Sequence, residues 1–152
     1  MKYNEKKGNL FDLDDKYALA HCISYDTDNL ISWSKGIVVD FRRKFKGLKE
    51  YVHKVVIENN LSYPCVVSYI DYYNERIVFN LITKEYYFSK PTYKSIAKCI
   101  KDMAYLCRKL DIKYLGLPKI GCGLDKLSWS KVREIIKEEF KDLDIEIEVR
   151  YL

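Results

Sequence analysis

A lysine at the end of an apolar run and an aspartate inside a glycine-bearing loop are the residues of this chain best placed to do chemistry. Lys84 follows Ile77-Val78-Phe79-Asn80-Leu81-Ile82-Thr83, so it projects from the end of a mostly apolar strand. Burial there would favour the neutral, nucleophilic amine over the ammonium. Asp125 lies in the segment Pro118 to Lys126, just ahead of a helix. At the carboxyl ends of neighbouring strands, such an amine and carboxylate would supply a nucleophile and a general acid/base beside a bound phosphate ligand. Each also has a plainer reading: a solvated lysine at a strand end, and a carboxylate capping the next helix or facing its dipole.

The loop that carries Asp125 reads Pro118-Lys119-Ile120-Gly121-Cys122-Gly123-Leu124-Asp125, with two glycines two apart after a short strand. Small residues there let backbone N–H groups approach a phosphate, and the following helix N-terminus adds its positive end. It is neither a Walker loop, lacking the Gly-Lys-Ser/Thr ending, nor a GxGxxG fingerprint, and alone it reads as a tight turn. A second segment, Ser32-Trp33-Ser34-Lys35-Gly36-Ile37, also enters a helix at a glycine. Two such turns on one sheet edge could clamp a pyrophosphate between them.

Other candidates carry less. His21 sits in an uncharged strand with no nucleophile elbow near it, and reads as a hydrogen-bonded core histidine. Cys122 lies in the glycine loop, but nothing ties it to either histidine. The five cysteines, Cys22, Cys65, Cys99, Cys107 and Cys122, form no CxxC pair, so neither a disulfide framework nor a zinc site is indicated. Four of them stand among apolar neighbours and read as reduced core thiols. Tyr69, Tyr72, Tyr73, Tyr86, Tyr87 and Phe88 cluster enough to raise single-strand stacking, with core and hairpin packing as the plainer account.

These residues need a scaffold of alternating strands and helices, and the periodicity supplies one. Tyr17 to Ser24 reads as a buried strand. Gly36 opens a helix through Phe45, with Ile37, Val38, Phe41 and Phe45 on one stripe, stopped near Gly47; a second short helix follows over about Leu48 to Asn59. Cys65 to Tyr69 and Arg76 to Thr83 read as a hairpin joined by Tyr72-Tyr73-Asn74-Glu75. Lys90-Pro91-Thr92 starts a helix with Ile96, Ile100, Met103, Cys107 and Leu110 at inward spacing. Tyr114 to Leu117 is a short buried strand, and Ser128 to Phe140 a helix with Val132, Ile135, Ile136 and Phe140 inward. In the final strand Ile145, Ile147 and Val149 alternate with Glu146, Glu148 and Arg150, leaving one face solvated.

Composition bounds the rest. The 152 residues, 48% hydrophobic and 32% charged with six glycines and three prolines, exclude a disordered, collagen-like or low-complexity chain. No linker or repeat interrupts them, so one domain over 1–152 is expected. The longest uncharged run, Asn59 to Ile70, has 12 residues, against the ~20 of a membrane span. The N-terminus has no apolar signal region, so an intracellular, cytoplasmic location is expected. A net charge of +5 suits an anionic ligand without requiring nucleic acid.

Taken in order, Gly8-Asn9-Leu10-Phe11, Leu19-Ala20-His21-Cys22-Ile23-Ser24, Lys35-Gly36-Ile37, Leu81-Ile82-Thr83-Lys84, Lys90-Pro91-Thr92-Tyr93 and Pro118 to Asp125 resemble the macrodomains. The branch they resemble is the terminal ADP-ribose protein glycohydrolase type, whose relatives include antitoxins that remove ADP-ribose from DNA bases. The resemblance runs end to end. It implies a three-layer α/β/α fold with a mixed central sheet, holding ADP-ribose at the carboxyl ends of the central strands.

The resemblance also implies roles. Lys84 would be the nucleophile that attacks the anomeric carbon of the opened distal ribose, and Asp125 the general acid/base. Gly36 and Ile37, with Gly121, Cys122, Gly123 and Leu124, would contact phosphate and distal ribose through backbone N–H groups. Asn9 falls where macrodomains place an aspartate on the adenine amino group; its oxygen can accept that bond without charge. Ser24 would lie near the ribose and Leu152 near the adenine, with Leu10, Thr83 and Ile120 completing the ADP-ribose set. Lys35 would add an ion pair at the pyrophosphate. Trp33-Ser34-Lys35 departs from the usual methionine and glycine-rich run, and residues between Tyr25 and Ile31 look inserted.

The leading expectation is an ADP-ribosyl hydrolase acting on ester-linked ADP-ribose, on acidic side chains or on small esters such as O-acetyl-ADP-ribose. Its partners would be an ADP-ribosylated protein or small ADP-ribose ester, with no membrane, no metal and no cofactor beyond ADP-ribose as ligand and product, and it would be a monomer. The alternatives are a hydrolase of ADP-ribosylated DNA bases, a non-catalytic ADP-ribose reader and a plain nucleic-acid-binding domain.

Overall fold

The computed structural model describes residues 1–152. Its strands are β1 (Lys2–Lys7), β2 (Ala18–Ser24), β3 (Cys65–Asp71), β4 (Arg76–Lys84), β5 (Tyr114–Leu117) and β6 (Glu146–Tyr151), in the sheet order β1-β6-β5-β2-β4-β3. Every pairing is parallel except the β3–β4 hairpin. The central strands β2 and β4 are buried on both faces, which is why they read as near-continuous apolar runs rather than alternating ones. The β2–β5 ladder has only two residue pairs, Ala18 with Leu115 and Leu19 with Gly116.

Helices α1 (Val38–Lys44) and α2 (Leu48–Glu58) cover one face of the sheet, and α3 (Tyr93–Lys109) and α4 (Trp129–Phe140) the other. The short α1 sets Val38 and Phe41 against Leu19, Ile23, Val78 and Ile82, and Trp33, Phe45 and Leu48 extend that core. On the opposite face Ile96, Ile100, Met103 and Cys107 of α3 meet Val132, Ile136 and Phe140 of α4 over Phe79, Leu81, Leu117 and Val149. Thr92 opens α3 with a reciprocal capping box: its hydroxyl accepts from Ser95 N–H while Ser95 Oγ accepts from Thr92 N–H. The three layers of the expected α/β/α fold are therefore present, each with its own apolar contact to the mixed sheet.

Several local expectations are corrected. Leu110 is 44% exposed rather than inward, because α3 ends at Lys109 and Leu110 is its C-cap. The polar face of β6 is half-buried rather than solvated, since β6 lies between β1 and β5 and its Glu148 and Arg150 pair with one another at 3.0 Å. Two thiols, Cys99 and Cys107, are buried, and Cys22, Cys65 and Cys122 are half-buried, so the core holds fewer thiols than the apolar neighbours suggested. The tyrosine group splits in two. Tyr69 packs edge-on against Tyr51 and Phe45, and Tyr72 and Tyr73 stand exposed on the hairpin, remote from Tyr86, Tyr87 and Phe88.

The edge strand β1 carries no sequence signal of its own. Lys2-Tyr3-Asn4-Glu5-Lys6-Lys7 is mostly charged and exposed, as edge strands commonly are. Glu5 fixes it to α4: its carboxylate accepts from Arg133 through both Nε and Nη2, from Trp129 Nε1 at 3.1 Å and from Tyr3 Oη at 2.7 Å.

Candidate active site

A cleft of about 1080 Å³ opens at the carboxyl ends of β2, β4 and β5, just above the roughly 300–1,000 Å³ usual for small-molecule sites. Its walls are the segments that leave those strands together with the chain after β1 and the end of β6, and Lys84 and Asp125 lie among its lining residues. Lys84 Nζ is 2.7 Å from Asp125 Oδ1, with the two side chains 15% and 14% exposed. This is a shielded ion pair rather than a solvated lysine. Nor does Asp125 cap a helix: the N-cap of α4 is Ser128. The two strands concerned are not neighbours, however. β2 stands between β4 and β5, so the pair forms over its end.

The last turn of the β2–β4 ladder helps to aim Lys84. Register runs Ile23 with Ile82 and then Ser24 with Lys84, so one residue, Thr83, is left over in β4. Such bulges bend a strand and re-aim its side chains, often beside active sites. Thr83 is buried, its Oγ1 has no hydrogen-bond partner, and it does not line the cleft, so its expected ligand contact is not supported by its position. Tyr25 N–H donates to Lys84 O at 2.9 Å and fixes the end of β4 to the segment leaving β2.

The two glycine turns do meet in the cleft. Gly36 has φ +78° and a Cβ there would lie 3.4 Å from Leu124 Cδ1, so the two loops touch. Gly121 has φ +75°, and a Cβ there would crowd Ile96 Cδ1 and Leu127 Cδ1 at 3.2 Å each. The N–H groups of Gly36 and Ile37 in one loop, and of Gly121, Gly123 and Leu124 in the other, donate to no acceptor of the protein. Unpaired amides converging from two loops suit an anion. The helix that follows the second loop contributes less than expected: Ser128 and Trp129 at the start of α4 do not line the cleft.

The remaining expected contacts fall as follows. Asn9, Leu10, Ser24, Lys35, Ile120, Cys122 and Leu152 all line the cleft. Asn9 Oδ1 already accepts from Phe11 N–H at 2.9 Å, capping a 3-10 turn over Leu10–Asp12, which leaves its amide donors as the freer atoms. Leu10 and Ile120 are buried beneath the floor, and Leu152 is 92% exposed at its rim. Ser24 is buried and donates to Asp26. Lys35 is exposed on the rim and pairs with no carboxylate.

The thiols and the histidine of this region are chemically quiet. Burial pushes Cys22 up to about 12 and raises Cys122, whose Sγ donates to Ile120 O at 3.2 Å, so both stay protonated. His21 is fully buried, 2.6 Å from Asn80 Oδ1 and stacked on Phe41 with centroids 3.9 Å apart. Desolvation lowers it to about 4, against which the Asn80 hydrogen bond works, and it remains neutral as a core histidine should. No group of three or more His, Cys, Asp or Glu gathers to hold a metal ion.

Residues outside the expected ADP-ribose set stand in or beside the walls. Asp26 accepts from Ser24 Oγ and from Tyr87 N–H at 3.1 Å. Lys90 Nζ donates to Leu124 O at 3.0 Å. Lys119 Nζ lies 4.0 Å from the Tyr151 ring centroid on the wall formed by the end of β6. Tyr86 and Phe88 stack at 5.2 Å with Tyr87 edge-on, all three exposed beside the mouth. Asp26 sits in a polar run that reads only as a strand terminator, and its partner is 61 residues away.

A family profile described as Macro domain matches residues 29–136. The chain belongs to the macrodomain family. This macrodomain is 37% identical over 143 residues to human ADP-ribose glycohydrolase OARD1, covering 94% of this chain and 87% of that protein. It is 22% identical over 112 residues to a DNA ADP-ribosyl glycohydrolase of Thermus aquaticus, covering 72% of this chain and 31% of that one. The macrodomain of Thermus aquaticus DarG superposes with a TM-score of 0.86 at 21% identity, over 99% of this chain and 98% of that chain. That likeness shows the shared fold.

Proposed function

We propose that this macrodomain is an ADP-ribosyl hydrolase that releases ADP-ribose from ester-linked targets, with Lys84 as nucleophile and Asp125 as general acid/base. The observation that carries the reading is the 2.7 Å Lys84–Asp125 pair, shielded from solvent on a cleft lined by unpaired loop amides. The hydrolase class is supported by the likeness to OARD1, a protein named ADP-ribose glycohydrolase.

In this reading each step falls to residues of the cleft. The amides of Gly36, Ile37, Gly121, Gly123 and Leu124 bind the pyrophosphate and the distal ribose, with Lys35 as counter-ion. The Asp125 carboxylate takes a proton from the Lys84 ammonium, giving a free amine and a carboxylic acid in contact. Asp125 gives that proton to the ring oxygen of the distal ribose as the bond from this oxygen to the anomeric carbon breaks, which returns Asp125 to the carboxylate, and Lys84 Nζ forms a bond to the anomeric carbon. The bond from that carbon to the target's carboxylate oxygen breaks, and the carboxylate leaves with its electron pair. Asp125 then takes a proton from water, whose oxygen adds to the anomeric carbon; the C–N bond breaks, Lys84 is regenerated and ADP-ribose departs. Adenosine would lie along Asn9, Leu10 and Leu152. The set needs no metal and no further cofactor.

A second reading, hydrolysis of ADP-ribosylated DNA bases, is favoured by the exposed Tyr86–Phe88 stack beside the mouth, which offers a base a surface to pack on. One experiment tests both. Wild type and Lys84→Ala are incubated with glutamate-linked ADP-ribosyl protein and with ADP-ribosylated DNA, ADP-ribose release is followed, and the adduct is trapped with borohydride before mass analysis. Release by wild type alone with a trapped adduct on Lys84 supports the lysine mechanism, and the faster substrate identifies the target class. No release from either, with ADP-ribose still bound, makes the protein a reader.

A further inference from the structure

We propose that Asp26 is a positioning residue for the Lys84 amine, holding the chain that leaves β4 so that Nζ stays on Asp125. The proposal rests on the hydrolase reading for its kinetic consequence and on geometry alone for its structural one. Asp26 is half-buried two residues beyond β2. One carboxylate oxygen accepts from Ser24 Oγ, and the other from Tyr87 N–H at 3.1 Å. The preceding residue donates its own N–H to Lys84 O at 2.9 Å. Residues 24–26 therefore grip β4 at Lys84 and again three residues further on.

The grip has a rigid base and a loose load. Thr27 is buried, its Oγ1 lies 2.9 Å from His53 Nδ1 of α2, and its carbonyl accepts from Trp33 Nε1 at 3.0 Å. The segment that Asp26 holds has no such anchorage, since Glu85, Tyr86, Tyr87 and Phe88 are all exposed. Its other end is tied by Lys90 to Leu124 O, the residue before Asp125. Residues 85–90 thus form a strap running from the nucleophile to the acid/base, and Asp26 is its fastening on the Lys84 side. Both Asp26 oxygens are occupied by donors of the protein, so the residue acts through Tyr87 rather than by touching substrate.

The test compares wild type, Asp26→Ala, Asp26→Asn and Asp28→Ala, an exposed carboxylate in the same loop, with Lys84→Ala as reference. The readouts are steady-state hydrolysis of a glutamyl-ADP-ribose peptide, ADP-ribose calorimetry, amide exchange at Tyr87 and crystal structures. Misplaced reacting groups cost rate more than affinity, so Asp26→Ala is expected to lose about ten- to a hundredfold in kcat with KM and Kd within about threefold. Exchange at Tyr87 should accelerate and Nζ should leave Asp125. Asp26→Asn, which keeps one acceptor oxygen, should fall between, and Asp28→Ala should match wild type. Unchanged Tyr87 exchange, a Lys84–Asp125 distance still at 2.7 Å, or kcat and affinity lost in equal measure with stability would each overturn the proposal. If Lys84→Ala turns over at the wild-type rate the hydrolase reading fails instead, and exchange and crystallography alone then decide the role of Asp26.

Discussion

Lys84 Nζ meets Asp125 Oδ1 at 2.7 Å across the end of β2, the strand that separates β4 from β5. Parallel strands in this order bring their carboxyl-terminal loops to one edge, so residues 41 apart in sequence become partners without any local motif linking them.

Removing either partner should therefore leave the cleft standing and stop the chemistry. Lys84→Ala and Asp125→Ala are each expected to lower kcat by at least about a hundredfold, the usual scale for a positioned acid/base or nucleophile. ADP-ribose affinity, carried by loop amides, should change little. Single-turnover kinetics beside calorimetry check the split; equal losses in both would mean that the pair only binds.

Gly121→Ala should act in the opposite sense. Its φ of +75° strains any residue with a Cβ, and at 3.2 Å from the Ile96 and Leu127 methyls that Cβ fits only if those side-chain ends give way by a few tenths of an ångström. A loss of about 1–3 kcal/mol in stability is expected from the strained backbone, together with weaker ADP-ribose binding. Thermal unfolding with and without ADP-ribose measures the two effects separately.

His21 makes the protein sensitive to mild acid. Desolvation lowers it to about 4 in the folded chain, whereas an unfolded histidine titrates near 6.5. Between those values the unfolded state binds the extra proton, so stability falls as pH drops from about 6.5 towards 4 and then levels off, a loss of about 3 kcal/mol. His21→Gln keeps a donor towards Asn80 Oδ1 and should flatten that slope. Denaturant titrations at pH 7, 5.5 and 4.5 provide the check.

Glu5 contributes in a lower window. Burial by itself raises its carboxyl, but hydrogen bonds from Arg133, Tyr3 and Trp129 outweigh that and hold it at about 2. Its contribution is complete above the unfolded value of 4.5 and fades as pH falls towards 2. Glu5→Gln should lower the unfolding midpoint at pH 7, remove this acid slope and leave turnover unchanged, as measured by melting and by the hydrolysis assay.

Much of the scaffold was legible because its signals are local. The Thr92 N-cap, the β-branched β3 and the apolar stripes of α3 and α4 each announce themselves within a few residues. β1 was not, because Lys2 to Lys7 owes its place to pairing with β6 and to Glu5 reaching α4, both more than 120 residues away. In the site, Lys84, Asp125 and the glycine turns could be read from residue type and family resemblance. The extra residue at Thr83 that turns it out of the cleft, and the reach of Asp26 to Tyr87, depend on strand register and long-range placement that no spacing encodes.

The two-pair ladder between β2 and β5 has a mechanical meaning for the whole molecule. Ala18–Leu115 and Leu19–Gly116 are the only rungs joining a β3-β4-β2 half to a β5-β6-β1 half. Beyond them β5 has a single residue left, Leu117, before its chain enters the loop that lines the cleft, while β2 runs on to Ser24. The sheet is nearly two three-stranded sheets sharing a seam, one half carrying Lys84 and the other leading into Asp125. A ligand seated there would act as a stitch across the seam, stiffening the protein along the one line where its backbone is least joined.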